Sequence, residues 1–504
     1  MKVLLVNPTR TGFDSYVSPP LHLLYIDQAI RKAGHDSQII DVHYPIAKKL
    51  KTSTQKFDLE QEEINTVSNM EFDILGIGSI VSAFDFSKRL VEEVKRKKPC
   101  VPVIIGGGMS IALADLWEKR TEVDYLVESD GELVIERFLK AYPDKEKLFN
   151  IPGLYVRKNG LFIYSKPELP KNLDYIEPPD WSRLSNLEEY MEIQKRWLNA
   201  TVPEEIRLKE DERVLPIVMT RGCPYQCTFC YHVNNFYRNH SIEYLVKFLS
   251  HLKNAHRLSC VVTWDDLIMT DRRWLEDLCD ELIKHNLGLK IFTSGGKPNL
   301  VTRELLKKMH MAGFIRISYG IESGSQRMLD IMKKQTTVQQ NFDAVKMSME
   351  EGVFTHLNMV LGMPGETIST LRETFDFLIR LAKQGLIATR NLSFSYATGY
   401  PGTELYRFMV EHNIVKDTED YLKEQSGVGE YKYNLCGISV GVIMFMKNIA
   451  LLKIDLYSHL NKKQFGKACA STILWFSKAC MELFISTKLK KFIRAGRARK
   501  RLGI

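Results

Sequence analysis

Residues 220–232 read TRGCPYQCTFCYH, which sets Cys223, Cys227 and Cys230 in a C-x-x-x-C-x-x-C spacing. Three thiolates in so short a segment suit a soft metal. Two arrangements are open. Zinc would take the three sulfurs and one imidazole, from His232 or His240, as a Cys3His site. His232 follows Cys230 by only two residues, which strains a tetrahedral chelate. An iron–sulfur cluster is ordinarily held by four thiolates, so three on a four-iron cluster leave one iron open. An open position is what a catalytic metal centre needs. The remaining cysteines, Cys100, Cys260, Cys279, Cys436, Cys469 and Cys480, lie in apolar surroundings and read as buried small hydrophobes.

The elements that must position these thiols follow from the hydropathy pattern. KVLLVNP, DSQIIDV, DILGIGSI, VPVIIGGG and DYLVESDGE read as buried strands, separated by helices such as SPPLHLLYIDQAIRKAGH and FDFSKRLVEEVKRKKP. Strand and helix in turn predict a Rossmann-like, doubly wound parallel sheet over residues 1–144. Residues 145–213 form a linker with a hairpin at Asn159-Gly160 and a proline-rich stretch. From residue 214 to 430 six strand-like runs each precede a helical one, which predicts a full or partial parallel α/β barrel with its site at the strand C-termini. Residues 431–504 are mainly helical and apolar, ending in a basic tail. Charged residues interrupt both apolar runs before they reach the ~20 residues of a membrane span, which leaves core helices or an interfacial hairpin.

The cysteine motif, with Phe229 just before its last cysteine, resembles that of the radical S-adenosylmethionine (SAM) superfamily. The resemblance implies that Cys223, Cys227 and Cys230 ligate a 4Fe-4S cluster whose open iron binds SAM and cleaves it to a 5′-deoxyadenosyl radical. Later strand ends match the order of the superfamily's SAM contacts. TWDDL places Asp265 and Asp266 to accept from the SAM ammonium, helix N-capping being the plainer alternative. FTSGGKPN places Lys297 near the pocket mouth. In SYGIESGS, Glu322 and Ser323 resemble the ribose-binding position. VLGMPGET supplies Gly362, Pro364, Gly365 and Glu366, and SYATGYPGT supplies Ala397 and Thr398, for the adenine.

The N-terminal segment resembles the cobalamin-binding domains fused to many radical SAM enzymes, through KVLLVNP, GIGSIVSAF, VIIGGG and DYLVESDGE. The likeness implies contacts from Thr9, Gly12, Ser79, Ser82, Gly106, Gly107 and Gly131, with Gly108 and Glu132 beside them. Cobalamin domains of the mutase type carry Asp-x-His-x-x-Gly after the first strand. Here that place reads Asn7-Pro8-Thr9-Arg10-Thr11-Gly12, so no lower histidine ligand is expected, and Asp41-Val42-His43 lacks the glycine that would make it a substitute. No G-x-G-x-x-G follows the first strand, which disfavours a dinucleotide; a domain that has lost its cofactor stays open. The family implied resembles the anaerobic Mg-protoporphyrin IX monomethyl ester cyclases and the radical SAM methyltransferases.

Hydrogen abstraction followed by methyl transfer from methylcobalamin to carbon is the activity this resemblance implies, with a flavodoxin or ferredoxin as electron donor. A ring cyclase or rearrangement enzyme of the same family is the alternative, and a non-catalytic cobalamin or iron–sulfur sensor is an alternative of another class. Methylthiotransferases fit less well, because only Cys100 precedes the motif. The net charge of +9 is concentrated in the run from Lys488 to Arg501, so the rest is nearly neutral and no specific nucleic acid is expected. The tail reads as a solvated terminus or a contact for anionic lipid. No signal peptide precedes VLLVNP, which points to a reducing, cytoplasmic setting, with peripheral membrane association through the tail. The substrate is a small molecule, and the apolar, basic C-terminus hints that it is lipid-like.

Overall fold

The computed structural model describes residues 1–10, 17–50, 55–108, 110–233, 235–424, 432–464 and 466. Gly12, Cys469, Cys480 and the basic tail lie outside them. The chain divides into two compact units: Met1–Tyr190 with Gly399–Gly427, and Met191–Thr398 with Val428–Ile504, as far as these are described.

The first unit is built on a seven-stranded sheet. Its strands are β1 (Lys2–Asn7), β2 (Asp36–Asp41), β3 (Ile74–Gly78), β4 (Val103–Gly106), β5 (Tyr125–Val127), β6 (Leu154–Lys158) and β7 (Leu161–Tyr164). The spatial order is β2-β1-β3-β4-β5-β6-β7. The first five are parallel, and β1 is buried from Val3 to Asn7, as a central strand covered on both faces must be. The strand order reverses at β1, where β2 lies on one side and β3 on the other. A ligand crevice forms at such a switch point, beyond the strand C-termini. The Asn159-Gly160 hairpin, assigned from sequence to the linker, instead pairs antiparallel with β5 and extends the sheet. The linker is therefore not a separate segment, since its first half completes the first unit.

Gly399–Gly427 also returns to the first unit, where residues 214–430 were expected to form one barrel. The helix Thr418–Glu424 is held there by Glu419, whose carboxylate takes Lys88 at 2.7 Å and Lys423 at 3.0 Å.

The second unit carries six parallel strands, β8 (Val214–Ile217), β11 (Cys260–Thr263), β12 (Lys290–Gly296), β13 (Phe314–Glu322), β14 (Phe354–Leu361) and β15 (Leu392–Tyr396), in sequence order and curled into a half-barrel. Between β8 and β11, the short strands β9 (Thr220–Arg221) and β10 (Arg238–Asn239) pair antiparallel and close the base of the cysteine loop. Five of the helices in this unit start at a side-chain cap. Ser241, Asp271, Thr302, Thr337 and Thr367 accept the backbone N–H three residues on.

The inner face of this sheet is plugged from below. Val214, Cys260, Val262, Phe292 and Phe354 pack on Leu198 and Val202 of the helix Leu187–Thr201 and its following turn. The helix Val440–Asn461 buries Ile443, Met444 and Ile454, and Asn461 Nδ2 donates to the Ala382 carbonyl at 2.9 Å. It is thus a packed core helix, and no described helix is long and apolar enough to cross a membrane. Of the cysteines outside the motif, Cys260 and Cys279 are buried as expected. Cys100 is exposed and Cys436 half-buried, against expectation.

Candidate active site

The loop 222–237 leaves the end of β9 with its backbone fixed by two adjacent carboxylates. Asp265 Oδ1 accepts from the Met219 N–H at 2.8 Å, the Thr220 N–H at 2.6 Å and the Thr220 hydroxyl at 3.1 Å. Asp266 Oδ2 accepts from the Gly222 N–H at 2.8 Å. Both aspartates therefore aim the cysteine loop, a use that the sequence reading, which gave them to the SAM ammonium, did not include. Asp265 Oδ2 is buried without a partner, and burial pushes this carboxyl up to about 6. The Thr263 hydroxyl also interacts with this carboxyl and pulls against that shift.

Cys223 and Cys227 are half-buried and Cys230 opens to solvent; none is disulfide-bonded. Desolvation and the neighbouring sulfurs raise Cys223, and the neighbouring sulfurs raise the more open Cys230 as well. Left alone Cys223 and Cys230 are protonated thiols, and a metal must displace their protons to bind. Among the described residues no three His, Cys, Asp or Glu side chains converge as a single chelated ion requires. A four-iron cluster has no such need, since each of its thiolates binds a different iron.

Two ammonium groups face the thiols. The loop docks on the turn after the helix Gln326–Ile331, where the Thr228 N–H donates to the Met332 carbonyl at 3.1 Å and Cys227 Sγ lies 4.0 Å from the Lys333 carbonyl. Lys333 and Gln335 both take left-handed backbone, φ 53° and 55°, which is uncommon without glycine. Lys334 between them pairs with Glu322 at 2.8 Å. Lys297 Nζ sits 3.8 Å from the Tyr225 ring centre and donates to the Lys334 carbonyl, and burial pulls it down to about 8. Buried cations beside three sulfurs fit a group of net negative charge, such as an iron–sulfur cluster with thiolate ligands. Lys334 was not found from sequence, because it comes from a turn about a hundred residues after the motif and carries no local signature.

The other expected contacts fall at the strand ends, with mixed uses. Glu322 ends β13 at φ 62°, buried against Lys334. Ser323 Oγ bonds Thr374 Oγ1 at 2.8 Å and accepts from the Ser325 N–H, so its hydroxyl ties the strand to the helix Ile368–Lys383. The Gly362 N–H donates to Glu366 Oε2, while Glu366 Oε1 is buried without a partner and burial pushes the carboxyl up to about 7. Gly365 has φ 82°, and Ala397 N–H donates to the Leu361 carbonyl at 2.8 Å. The Thr398 hydroxyl turns back on the Tyr396 carbonyl at 2.9 Å.

In the first unit the described residues among those expected lie at or after the C-terminal ends of β1, β3, β4 and β5. Thr9 is buried with Oγ1 3.5 Å from His43 Nδ1. His43 is itself buried. The Ser79 N–H donates to the Gly106 carbonyl at 2.7 Å. Gly107, at φ 116°, would drive a Cβ into the Ser79 carbonyl, so its glycine is required by the sheet's own backbone as well as by any ligand. At Gly106 a Cβ would meet nothing nearer than 3.7 Å. Ser82 Oγ is buried without a partner, an unused donor at the crevice where a cobalamin side chain would be held. A Cβ at Gly131 would press on Ile26 Cδ1 at 2.9 Å. His22, absent from the sequence reading, lies across Gly78, and desolvation and the Arg10 charge hold it down at about 4, neutral at physiological pH.

Two family models match the chain: the radical SAM superfamily over residues 217–378, and the B12 binding domain over residues 14–139. The chain joins a B12-binding domain to a radical SAM domain. It is 28% identical over 426 residues to an uncharacterized methyltransferase of Pyrococcus horikoshii, covering 82% of this chain and 84% of that one. It is 25% identical over 517 residues to the anaerobic magnesium-protoporphyrin IX monomethyl ester cyclase of Cereibacter sphaeroides, covering 98% and 75%. In fold it is similar to the cobalamin-dependent S-adenosylmethionine radical enzyme OxsB, with a TM-score of 0.64 and 16% identity over 100% of this chain and 81% of that one. A 4Fe-4S cluster, SAM and cobalamin are the cofactors these two domains imply.

Proposed function

We propose that the protein is a radical SAM C-methyltransferase acting on a small molecule, supplied with electrons by a flavodoxin or ferredoxin. The carrying observation is the loop of three thiols at the mouth of the half-barrel, aimed by Asp265 and Asp266 and faced by Lys297 and Lys334, in a chain that also holds a B12-binding domain. Bound there, the cluster and SAM supply a 5′-deoxyadenosyl radical, and cobalamin supplies the methyl group. Within this reading Cys223, Cys227 and Cys230 hold the cluster. Lys334 and Lys297 balance its charge, and Asp265 and Asp266 hold the backbone that carries the thiols. Glu322 and the Gly362–Glu366 turn bound the nucleoside. In the first unit Thr9, Ser79, Ser82 and Gly106 hold the corrinoid.

The test is anaerobic reconstitution with iron, sulfide and hydroxocobalamin, followed by reduction with SAM. Iron–sulfur absorbance and 5′-deoxyadenosine are expected in the wild type, and both should vanish in Cys223→Ala, Cys227→Ala and Cys230→Ala. A colourless, zinc-loaded protein that refuses iron would overturn the reading. The long match to the cyclase favours a second outcome at the same site, ring closure without methyl transfer. SAM labelled in its methyl group separates the two, because only the methyltransferase moves the label to product.

A further inference from the structure

The inner face of the half-barrel carries a buried cation with no carboxylate partner among the described residues. Along β13 the side chains alternate. Tyr319 turns outward, its hydroxyl 2.9 Å from Ser348 of the helix Val338–Glu350. Arg316 and Ser318 therefore turn inward, toward the plug helix Leu187–Thr201. Arg316 is 3% exposed, with its guanidinium 5.7 Å from the Trp197 ring and 6.0 Å from the Phe292 ring. Nη2 reaches up the strand to Ser318 Oγ at 3.2 Å, and Nε is buried without a partner. Among the described residues no carboxylate pairs with it, and burial alone pulls it down to about 10. The contrast with Lys334 is instructive, because that buried cation has Glu322.

The neighbouring strand continues the same strip. His356 stands opposite Ser318 in register, and its Nε2 lies 2.8 Å from Ser393 Oγ. Its Nδ1 is buried without a partner. Burial and then the Arg316 charge hold the imidazole down at about 3, so it is neutral. Ser393, on the edge strand β15, is exposed, which leaves the strip open on that side. Leaving a guanidinium buried without an anion is strongly unfavourable. A polar wall with a cation and no anion is complementary to an oxyanion from outside.

We propose that Arg316, Ser318 and His356 form the subsite for an anionic group of the substrate, a carboxylate or a phosphate. The proposal rests on the half-barrel being the reaction chamber. It makes the substrate an elongated anion: from Ser318 to Glu322 the strand rises about 13 Å, so the charged end is seated well below the strand ends where the thiols lie. Such a length excludes substrates of only a few carbons anchored by this strip.

Trp197 provides the readout. The full chain is titrated separately with acetate and inorganic phosphate, at ionic strength held constant with chloride, and followed by tryptophan fluorescence. One oxyanion should give a saturable change that is lost in Trp197→Phe and weakened at least tenfold in Arg316→Met, with Arg316→Lys retaining part of it. Arg316→Gln, checked by circular dichroism, stands in if the methionine variant fails to fold. An unresponsive wild type, or an equal response in the folded Arg316 variants, overturns the subsite. A third arm repeats the titration on reconstituted protein saturated with SAM, and competition there would assign the site to SAM's own carboxylate and overturn the substrate reading. The anion titration needs no turnover, and 5′-deoxyadenosine formation needs no anion, so failure here and failure of the methyltransferase reading are told apart.

Discussion

Lys334 and Glu322 form the tightest charge pair of the site, both side chains nearly buried at 2.8 Å. Removing one partner strands the other in a poorly solvated place. Lys334→Met should cost about 3–5 kcal/mol, and the double variant Lys334→Met with Glu322→Gln should recover most of it; chemical denaturation of both measures this. Glu366 makes a different prediction. Its carboxyl is pushed by burial from 4.5 up to about 7 while accepting the Gly362 N–H. The folded state therefore binds the proton more tightly than the unfolded one. Stability falls as pH rises from about 4.5 to about 7, by roughly 3 kcal/mol. Glu366→Gln keeps an acceptor for Gly362 and never ionises, so its melting temperature relative to wild type should rise between pH 5 and pH 8. A difference that does not vary with pH would contradict this.

Elements were legible wherever the signal was local. The strands β1, β3, β4 and β13 stand out as apolar runs, and Ser241, Asp271, Thr302 and Thr367 mark helix starts because a cap needs only its own next three residues. The cysteine loop was found for the same reason. What the pattern could not reveal is partnership. The amphipathic stripe of Leu187–Thr201 says that one face is buried, but not that Leu198 closes the inner face of a sheet. Likewise β6 reads as a hairpin strand, with nothing to announce that it pairs with β5. Arg316 lay in plain sight within FIRISYGIES, hidden because alternation assigns a face and not a neighbour. The plug gives a test at this scale. Leu198 is fully buried, and Leu198→Ala should cost about 2–5 kcal/mol, read as faster hydrogen exchange in β8 and β11. At β3 and β4 the limiting residue is Gly107, and Gly107→Ala should loosen those strands and leave the second sheet protected.

For the whole molecule the main fact is that the first unit is assembled from two stretches of chain, with nearly all of the half-barrel between them in sequence. Glu419 joins them, taking Lys88 at 2.7 Å and standing 3.7 Å from Arg120. Glu419→Ala should speed hydrogen exchange in the helices Phe84–Lys97 and Thr418–Glu424 without affecting β13 and β14; a uniform change through the molecule would refute that division.

The same connectivity bears on how the chain is born. The N-terminal sheet leaves the ribosome first, yet its last helix is translated only after the whole half-barrel, a delay on the order of ten to fifty seconds at ordinary elongation rates. During that interval the surface awaiting Thr418–Glu424 stays uncovered on a nascent protein. Slow codons or a chaperone acting between those two moments would therefore govern the yield of the corrinoid-binding part more than that of the barrel.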